Sequence, residues 1–244
     1  MLKLDAWLQI AKSAALLGGK YLLKHQGKKL KILLNQGRDL KLQLDTDTEQ
    51  LIKNSLSSQS AFSILGEETG FSDDVGEFYW VVDPLDGTSN FLRDIPISCV
   101  SIALMQNKTP ILGVIYDFNH DDLYYGHLES KAFVNQMEIA VSNYAKKSES
   151  TLVTGIPAKT NYSDNEFKQM IADFQQWKKV RMIGSAAMAS IYVAAGKADT
   201  YKENGIFLWD IAAGAAIVNA AGGVASITNI QADHRVDALF TNQY

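Results

Sequence analysis

Three acidic clusters punctuate this chain: Glu67 and Glu68 in "GEE", Asp83 and Asp86 in "WVVDPLDGTSNF", and Asp210 in "WD". Carboxylate oxygens are hard donors, and a hard cation such as Mg2+ is held by a few of them while it keeps several waters. Each cluster also has a plainer reading. Glu67 and Glu68 suit a polar turn, Asp83 and Asp86 suit Asp-Pro and Asp-Gly turns, and Asp210 suits a helix N-cap. The middle cluster shifts the balance towards chemistry. Asp83 closes an apolar run, Pro84 stiffens the bend, Leu85 is free to turn its carbonyl outward, and Asp86 precedes Gly87 and Thr88. A helix beginning near Thr88 would point unpaired N–H groups at whatever lies beside the aspartates, a setting that favours phosphate. Carboxylates, cations and amides would then serve one ligand. In two-metal hydrolysis of phosphate esters, ions about 3.5 to 4 Å apart stabilise the attacking and leaving oxygens.

Other sites fit poorly. Neither "DTDTEQ" nor "DPLDGT" has the spacing and glycine of an EF-hand loop. An Asp-x-Asp phosphatase puts one residue between its aspartates so that both point the same way, whereas two residues intervene here. Zinc would need clustered soft ligands, but His25, His120, His127 and His234 are scattered. The one cysteine, Cys99, lies in the apolar run "ISCVSIALM", reads as a small core residue, and fits a reducing cytoplasm.

The elements that must position these groups follow from periodicity. Leu4, Trp7, Leu8, Ala11, Ala15, Gly18 and Leu22 recur at helical spacing and predict an amphipathic first helix, not a signal peptide. A basic stretch over residues 24–41, with Lys24, Lys28, Lys29, Lys31, Arg38 and Lys41, reads as solvated surface. "TDTEQLIKNSL" predicts a second helix opened by a Thr46–Glu49 capping box. The runs "FSIL", "FYWVV", "SCVSIALM", "ILGVIY" and "LYY" predict a largely antiparallel sheet. Past residue 142 the texture changes. There, Phe167, Met170, Ile171, Phe174 and Trp177 share a helical face, "SAAMASIYVAAG" is a small-residue helix, "ADTYKE" is a strand, and a helix starts at Asp210. The whole is a mixed α/β arrangement in two parts. With 244 residues, 47% hydrophobic and 20% charged, it has the composition of a globular protein. A net charge of −4 argues against nucleic acid as the main partner, and no run approaches the roughly 18 apolar residues of a membrane span.

Together, "ILGEET", "WVVDPLDGTSNF" and "GIFLWDIAAGAAIVNAAGG" resemble, in order and separation, three signatures of the inositol monophosphatase family of magnesium-dependent, lithium-sensitive phosphatases. The likeness extends to "DLKLQLDTDTEQLI", "ILGVIYDFNHDDLYYG", "VTGIP" and "RMIGSAAMASIYVAAGKADTYKE", and so covers nearly the whole chain. It implies a five-layer α-β-α-β-α sandwich, with residues 1–142 carrying most metal ligands and 143–244 completing the site. By resemblance, Glu67, Asp83 and the Leu85 carbonyl hold one Mg2+, Asp83, Asp86 and Asp210 a second, and Glu67 with waters a third. Glu67 and Thr88 would orient a metal-activated water for in-line attack, with Asp45 supporting the threonine. The amides of Gly87 and Thr88 would take phosphate oxygens. Gly184, Ser185, Ala186 and Glu203 would line the pocket for the alcohol part of the substrate. Ala220 stands where many relatives carry glutamate, but no departure removes a ligand.

The implied activity is magnesium-dependent hydrolysis of a small sugar or polyol phosphate monoester, with inositol 1-phosphate the best single choice. 3′-Phosphoadenosine 5′-phosphate and fructose 1,6-bisphosphate are the alternative substrates, and a regulatory binding protein on the same fold is the alternative role. The resemblance also implies a homodimer.

Overall fold

The computed structural model describes residues 3–36, 39–71, 75–157 and 161–242. Arg38 of the basic stretch lies outside the described residues. Helix α1 (Leu4–Leu23) buries Leu4, Leu8, Ala11, Ala15, Gly18 and Leu22, the stripe its spacing demands. The hairpin β1 (Ile32–Gln36) and β2 (Asp39–Leu42) follows, then α2 (Gln43–Ser57). Gly18 lets the two helices close: a Cβ there would stand 2.8 Å from Ile52 Cδ1. Lys24, Lys28, Lys29 and Lys31 are exposed, as solvated cations should be.

An eight-stranded sheet is built from β3 (Ser63–Gly66), β4 (Gly70–Phe71), β5 (Phe78–Asp86), β6 (Cys99–Gln106), β7 (Thr109–Asp117), β8 (Asp122–His127), β9 (Ala132–Val134) and β10 (Met137–Ile139). The short helix α3 (Thr88–Leu92) separates β5 from β6. Strand order is β10-β9-β8-β7-β6-β5-β3-β4. All pairs are antiparallel except β3 with β5. A second, five-stranded sheet has the order β12-β11-β13-β15-β14, from β11 (Thr151–Thr154), β12 (Lys179–Met182), β13 (Thr200–Phe207), β14 (Val224–Thr228) and β15 (Arg235–Thr241). Helices α4 (Asp164–Phe174), α5 (Ala186–Ala194) and α6 (Leu208–Ala220) belong to this later part of the chain.

Alternation along the strands makes two cores. Trp80, Val82, Val100, Ile102, Leu104, Leu112 and Val114 face α1 and α2. Tyr79, Val81, Cys99, Ala103 and Ile115 face α5 and α6, which meet Val153, Tyr201, Val236 and Phe240 of the second sheet on their other side. Cys99 is thus the core residue its sequence context indicates. Small residues let α6 lie close to its neighbours: a Cβ on Gly113 would come within 2.1 Å of the Ala213 carbonyl oxygen. Helix α4 is the outermost layer, over the far side of β11 and β13, and the whole reads α-β-α-β-α. None of its residues is buried, and Ile171 remains 51% exposed. The apolar face expected of α4 therefore only partly covers the sheet beneath it. Among the described residues, no helix is long and apolar enough to cross a membrane.

Candidate active site

Strand β5 carries two of the acidic residues, and a bulge determines where they point. In a regular strand, residues three apart face opposite sides. Here Asp83 opposes Ser101 while Asp86 opposes Cys99, so three steps on β5 match two on β6. Pro84 has no N–H for the ladder and sits inside that irregularity. The Asp83 carboxylate fills the gap by accepting from the Leu85 N–H at 2.9 Å. Both aspartates, with the Leu85 carbonyl region, consequently line one cavity of about 290 Å3.

The other groups arrive from five further segments. Glu67 follows β3, and its N–H is tied to the Val82 carbonyl at 3.1 Å. Asp210 comes from the first turn of α6. It is not the N-cap: α6 starts at Leu208, and the Asp210 carboxylate reaches back to the Phe207 N–H at 3.3 Å. Gly184, Ser185 and Ala186 open α5, where Ser185 is the cap and accepts from the Met188 N–H at 3.2 Å. Glu203 projects from β13 and accepts from the Tyr201 hydroxyl at 2.9 Å. Gly87 caps α3 with φ 85°, and a Cβ there would stand 2.7 Å from the Ile97 carbonyl oxygen, so a side chain would be both strained and obstructed. All of these residues, and Thr88, line the same cavity.

Ligand atoms of Glu67, Asp83 and Asp210 lie within 4.8 Å of one another. Burial pushes Glu67 up to about 8, helped by the neighbouring charge of Glu68. Burial, reinforced by Glu67, Asp86 and Asp210, raises Asp83 well above the usual carboxylate range. Asp210 is raised for the same reason, with Glu67, Asp86 and Glu203 as its charged neighbours. Three crowded, desolvated carboxylates lack enough positive charge to be stable together as anions, and a hard divalent cation is what such a donor set fits.

Asp86 stands slightly apart and is differently held. Burial raises it to about 6, but bonds from the Ser185 hydroxyl at 2.5 Å and the Ala187 N–H at 2.7 Å oppose the shift, and the Ala186 and Gly87 N–H groups also face it. Glu203 is raised by burial to about 7.

Asp45 departs from expectation. It lies outside the cavity lining, in the first turn of α2, where its Oδ2 accepts from the Leu42 N–H at 2.8 Å. Its Oδ1 is buried without a hydrogen-bond partner, and burial raises the group to about 7. The direct support of Thr88 that the resemblance implies is not made: the Thr88 hydroxyl donates instead to the Leu85 carbonyl at 3.0 Å.

Two contributors escape a reading based on acidic clusters. Asn90, on α3, donates through Nδ2 to the carbonyls of Ile97 and Ile183, both at 2.8 Å, and so fastens the loop that carries Gly184. Its one signal is its place in "GTSNF". Glu49 is fully buried beneath the Glu67 turn. The Thr46–Glu49 capping box does not form, because α2 begins at Gln43 and Asp45 reaches back to its start. A sequence signal for Glu49 exists in its spacing from Asp45, Ile52 and Leu56 on the inward stripe of α2.

The chain is similar to known proteins along almost its whole length. A family model described as the inositol monophosphatase family matches residues 3–238. An inositol-1-monophosphatase from Synechocystis sp. is 37% identical over 228 residues, covering 91% of this chain and 79% of that protein. A Nus factor SuhB from Xylella fastidiosa is also 37% identical, over 88% of this chain and 80% of its own length. The structure of an inositol monophosphatase from Anabaena (Nostoc) sp. superposes with a TM-score of 0.85 at 33% identity, covering 99% of this chain and 92% of the other. With its acidic residues gathered between two sheets and this likeness along almost its full length, the chain belongs to the inositol monophosphatase family of phosphatases.

Proposed function

We propose that the protein hydrolyses a small sugar or polyol phosphate monoester, inositol 1-phosphate foremost, with Mg2+ as cofactor. The observation that carries this reading is the convergence of Glu67, Asp83 and Asp210 within 4.8 Å, beside Gly87 and Thr88. Glu67, Asp83 and the Leu85 carbonyl would hold one ion, Asp83, Asp86 and Asp210 a second, and Glu67 with waters a third. Bound Mg2+ supplies charge neutralisation at the phosphoryl oxygens and lowers the pKa of a coordinated water.

The chain's own groups do the rest. Glu67 and Thr88 orient the attacking water in line with the scissile bond, and Glu67 accepts its proton. By resemblance, Asp45, whose Oδ1 has no hydrogen-bond partner, would support the threonine. The amides of Gly87 and Thr88 hold phosphate oxygens. Gly184, Ser185 and Ala186 shape the wall around the alcohol, and Glu203 accepts hydrogen bonds from its hydroxyls. Glu203 favours a polyol over a nucleotide, because its carboxylate offers acceptors rather than a face for stacking a base.

The test is phosphate release from inositol 1-phosphate, fructose 1,6-bisphosphate, 3′-phosphoadenosine 5′-phosphate and glycerol 2-phosphate, each with Mg2+ and with a chelator. Mg2+-dependent turnover of inositol 1-phosphate above the others is expected. Turnover of none of them by folded protein would overturn the reading.

A regulatory binding role is the second reading. It draws on the relative named Nus factor SuhB and on the exposed Lys24, Lys28, Lys29 and Lys31. Stable capture of one partner by the Asp86→Asn variant would favour it. A homodimer, by family resemblance, and a cytoplasmic location, from the lone Cys99, belong to the same proposal.

A further inference from the structure

A buried carboxylate lies under the turn that carries Glu67, and the reaction just described makes no use of it. Glu49 is 0% exposed, and both of its oxygens are engaged by the segment after β3. Oε2 accepts from the Glu68 N–H at 2.8 Å, and Oε1 accepts from the Thr69 hydroxyl. Lys53, one helical turn further on, has its Nζ 3.8 Å from Glu49 Oε1 and donates to Thr69 Oγ1 at 2.6 Å. On the other side of Glu67, the absence of a side chain at Gly66 makes room for the same carboxylate: a Cβ there would stand 2.4 Å from Glu49 Cδ.

One acidic side chain therefore holds the segment after Glu67 by hydrogen bonds at Glu68 and Thr69 and packs closely against Gly66 before it, while the Glu67 N–H is bonded to Val82 of the strand that carries Asp83 and Asp86. Burying an anion is costly unless its oxygens are hydrogen-bonded, and losing one partner of such a set costs more than a surface contact would. A plain polar turn needs no such device, since a hydroxyl or a water can satisfy a single amide. The cost makes sense where the residue between the two anchors must be placed accurately.

We propose that Glu49 is a positioning residue that sets Glu67 at its working distance from Asp83 and Asp210. The inference rests on the reading of this site as a magnesium-dependent phosphatase centre. Groups that orient a metal ligand typically change metal affinity or activity about 10- to 100-fold when removed. Glu49 exerts this control through the backbone on either side of the ligand and touches neither ion nor substrate.

The experiment is calorimetric titration of the full chain with Mg2+ in the absence of substrate, alongside kcat and KM measured across Mg2+ concentrations. For Glu49→Gln, the Mg2+ Kd should rise about tenfold or more. Turnover should fall at low Mg2+ and recover at saturating Mg2+, with KM for the ester unchanged. Thr69→Val, at an exposed position, removes one anchor with little risk to folding and should show a smaller loss in the same direction. A purely structural role would lower the melting temperature while leaving Mg2+ affinity where it was. Wild-type Mg2+ affinity in both folded variants would overturn the inference. If the wild type binds Mg2+ but releases no phosphate, and Glu49→Gln weakens that binding, the inference stands and the proposed function falls. If the wild type is active and neither variant binds Mg2+ more weakly, the proposed function stands and the inference falls. A wild type that binds no Mg2+ overturns both.

Discussion

The Asp86 carboxylate at the end of β5 accepts a hydrogen bond from the Ala187 N–H of α5, 2.7 Å away and 101 residues later in the chain. One side chain thus serves as a candidate metal ligand and as the partner of a free amide at a helix start. Asn at this position keeps an oxygen for the Ala187 N–H but loses the charge. Asp86→Asn should therefore fold normally by circular dichroism and lose phosphate release by about 100-fold or more. Full activity in the variant would remove Asp86 from the site.

Stability should fall more steeply with pH without magnesium than with it. Asp45 and Glu203, both raised to about 7, and Glu67, raised to about 8, bind protons more tightly in the folded chain than in the unfolded one. For carboxyls shifted upward, the folded state holds more protons between the two pKa values, so their contribution is complete below about pH 4 and is lost as pH rises through about 7 to 8. In EDTA the melting temperature should fall between pH 5.5 and 8.5. Mg2+ binds the ionised carboxylates, so its stabilising effect should be largest at pH 8.5. Thermal unfolding at both pH values, with and without the ion, checks this, and a flat profile in EDTA would contradict it.

Gly113 links the sheet to the ligand on α6. Its added Cβ would meet the Ala213 carbonyl oxygen at 2.1 Å, a contact with backbone that no rotamer can relieve. Gly113→Ala should cost about 1 to 3 kcal/mol or more in chemical denaturation. Because Asp210 sits on the displaced helix, the folded variant should also bind Mg2+ more weakly by calorimetry. A variant as stable as wild type would show that α6 can slide without penalty.

Asn90→Ala tests how the alcohol pocket is held. Its Nδ2 bonds to the Ile97 and Ile183 carbonyls, and the change strips both acceptors of their donor. A loss of about 1 to 3 kcal/mol in stability is expected. With the loop at Gly184 loosened, KM for the ester should rise while Mg2+ affinity measured without substrate stays close to wild type. An unchanged KM would mean the loop is fixed by other contacts.

The amino-acid sequence announces the site more clearly than the layers around it. Glu67, Asp83, Asp86 and Asp210 stand out because carboxylates at the ends of apolar runs are costly to place together without a ligand. The core strands are readable for a related reason: β5, β6 and β7 are apolar on both faces and so appear as continuous runs. The strands β12 and β14 are harder to see, since "KVRM" and "VASIT" are short and neither has a buried residue. The β5 bulge is out of reach as well, because it follows from a pairing with Ser101 and Cys99 that periodicity on one strand does not encode. Asp45 is singled out by resemblance, but its orientation depends on where α2 begins, and the Thr46–Glu49 pair suggests a later start than Gln43. Glu49 looks like part of a surface cap because it is charged; its neighbours on the helix show that it faces inward.

The acidic residues are divided between the larger sheet and helix α6, and that division has a kinetic meaning. A chain emerging from the ribosome can complete α1, α2 and much of the larger sheet before Asp210 has been made, and domains generally fold as units from the N-terminal side during synthesis. Until α6 docks, Glu67 and Asp83 lack their third carboxylate. Affinity for a hard cation at this site would then be acquired only when α6 docks, after much of the larger sheet has formed.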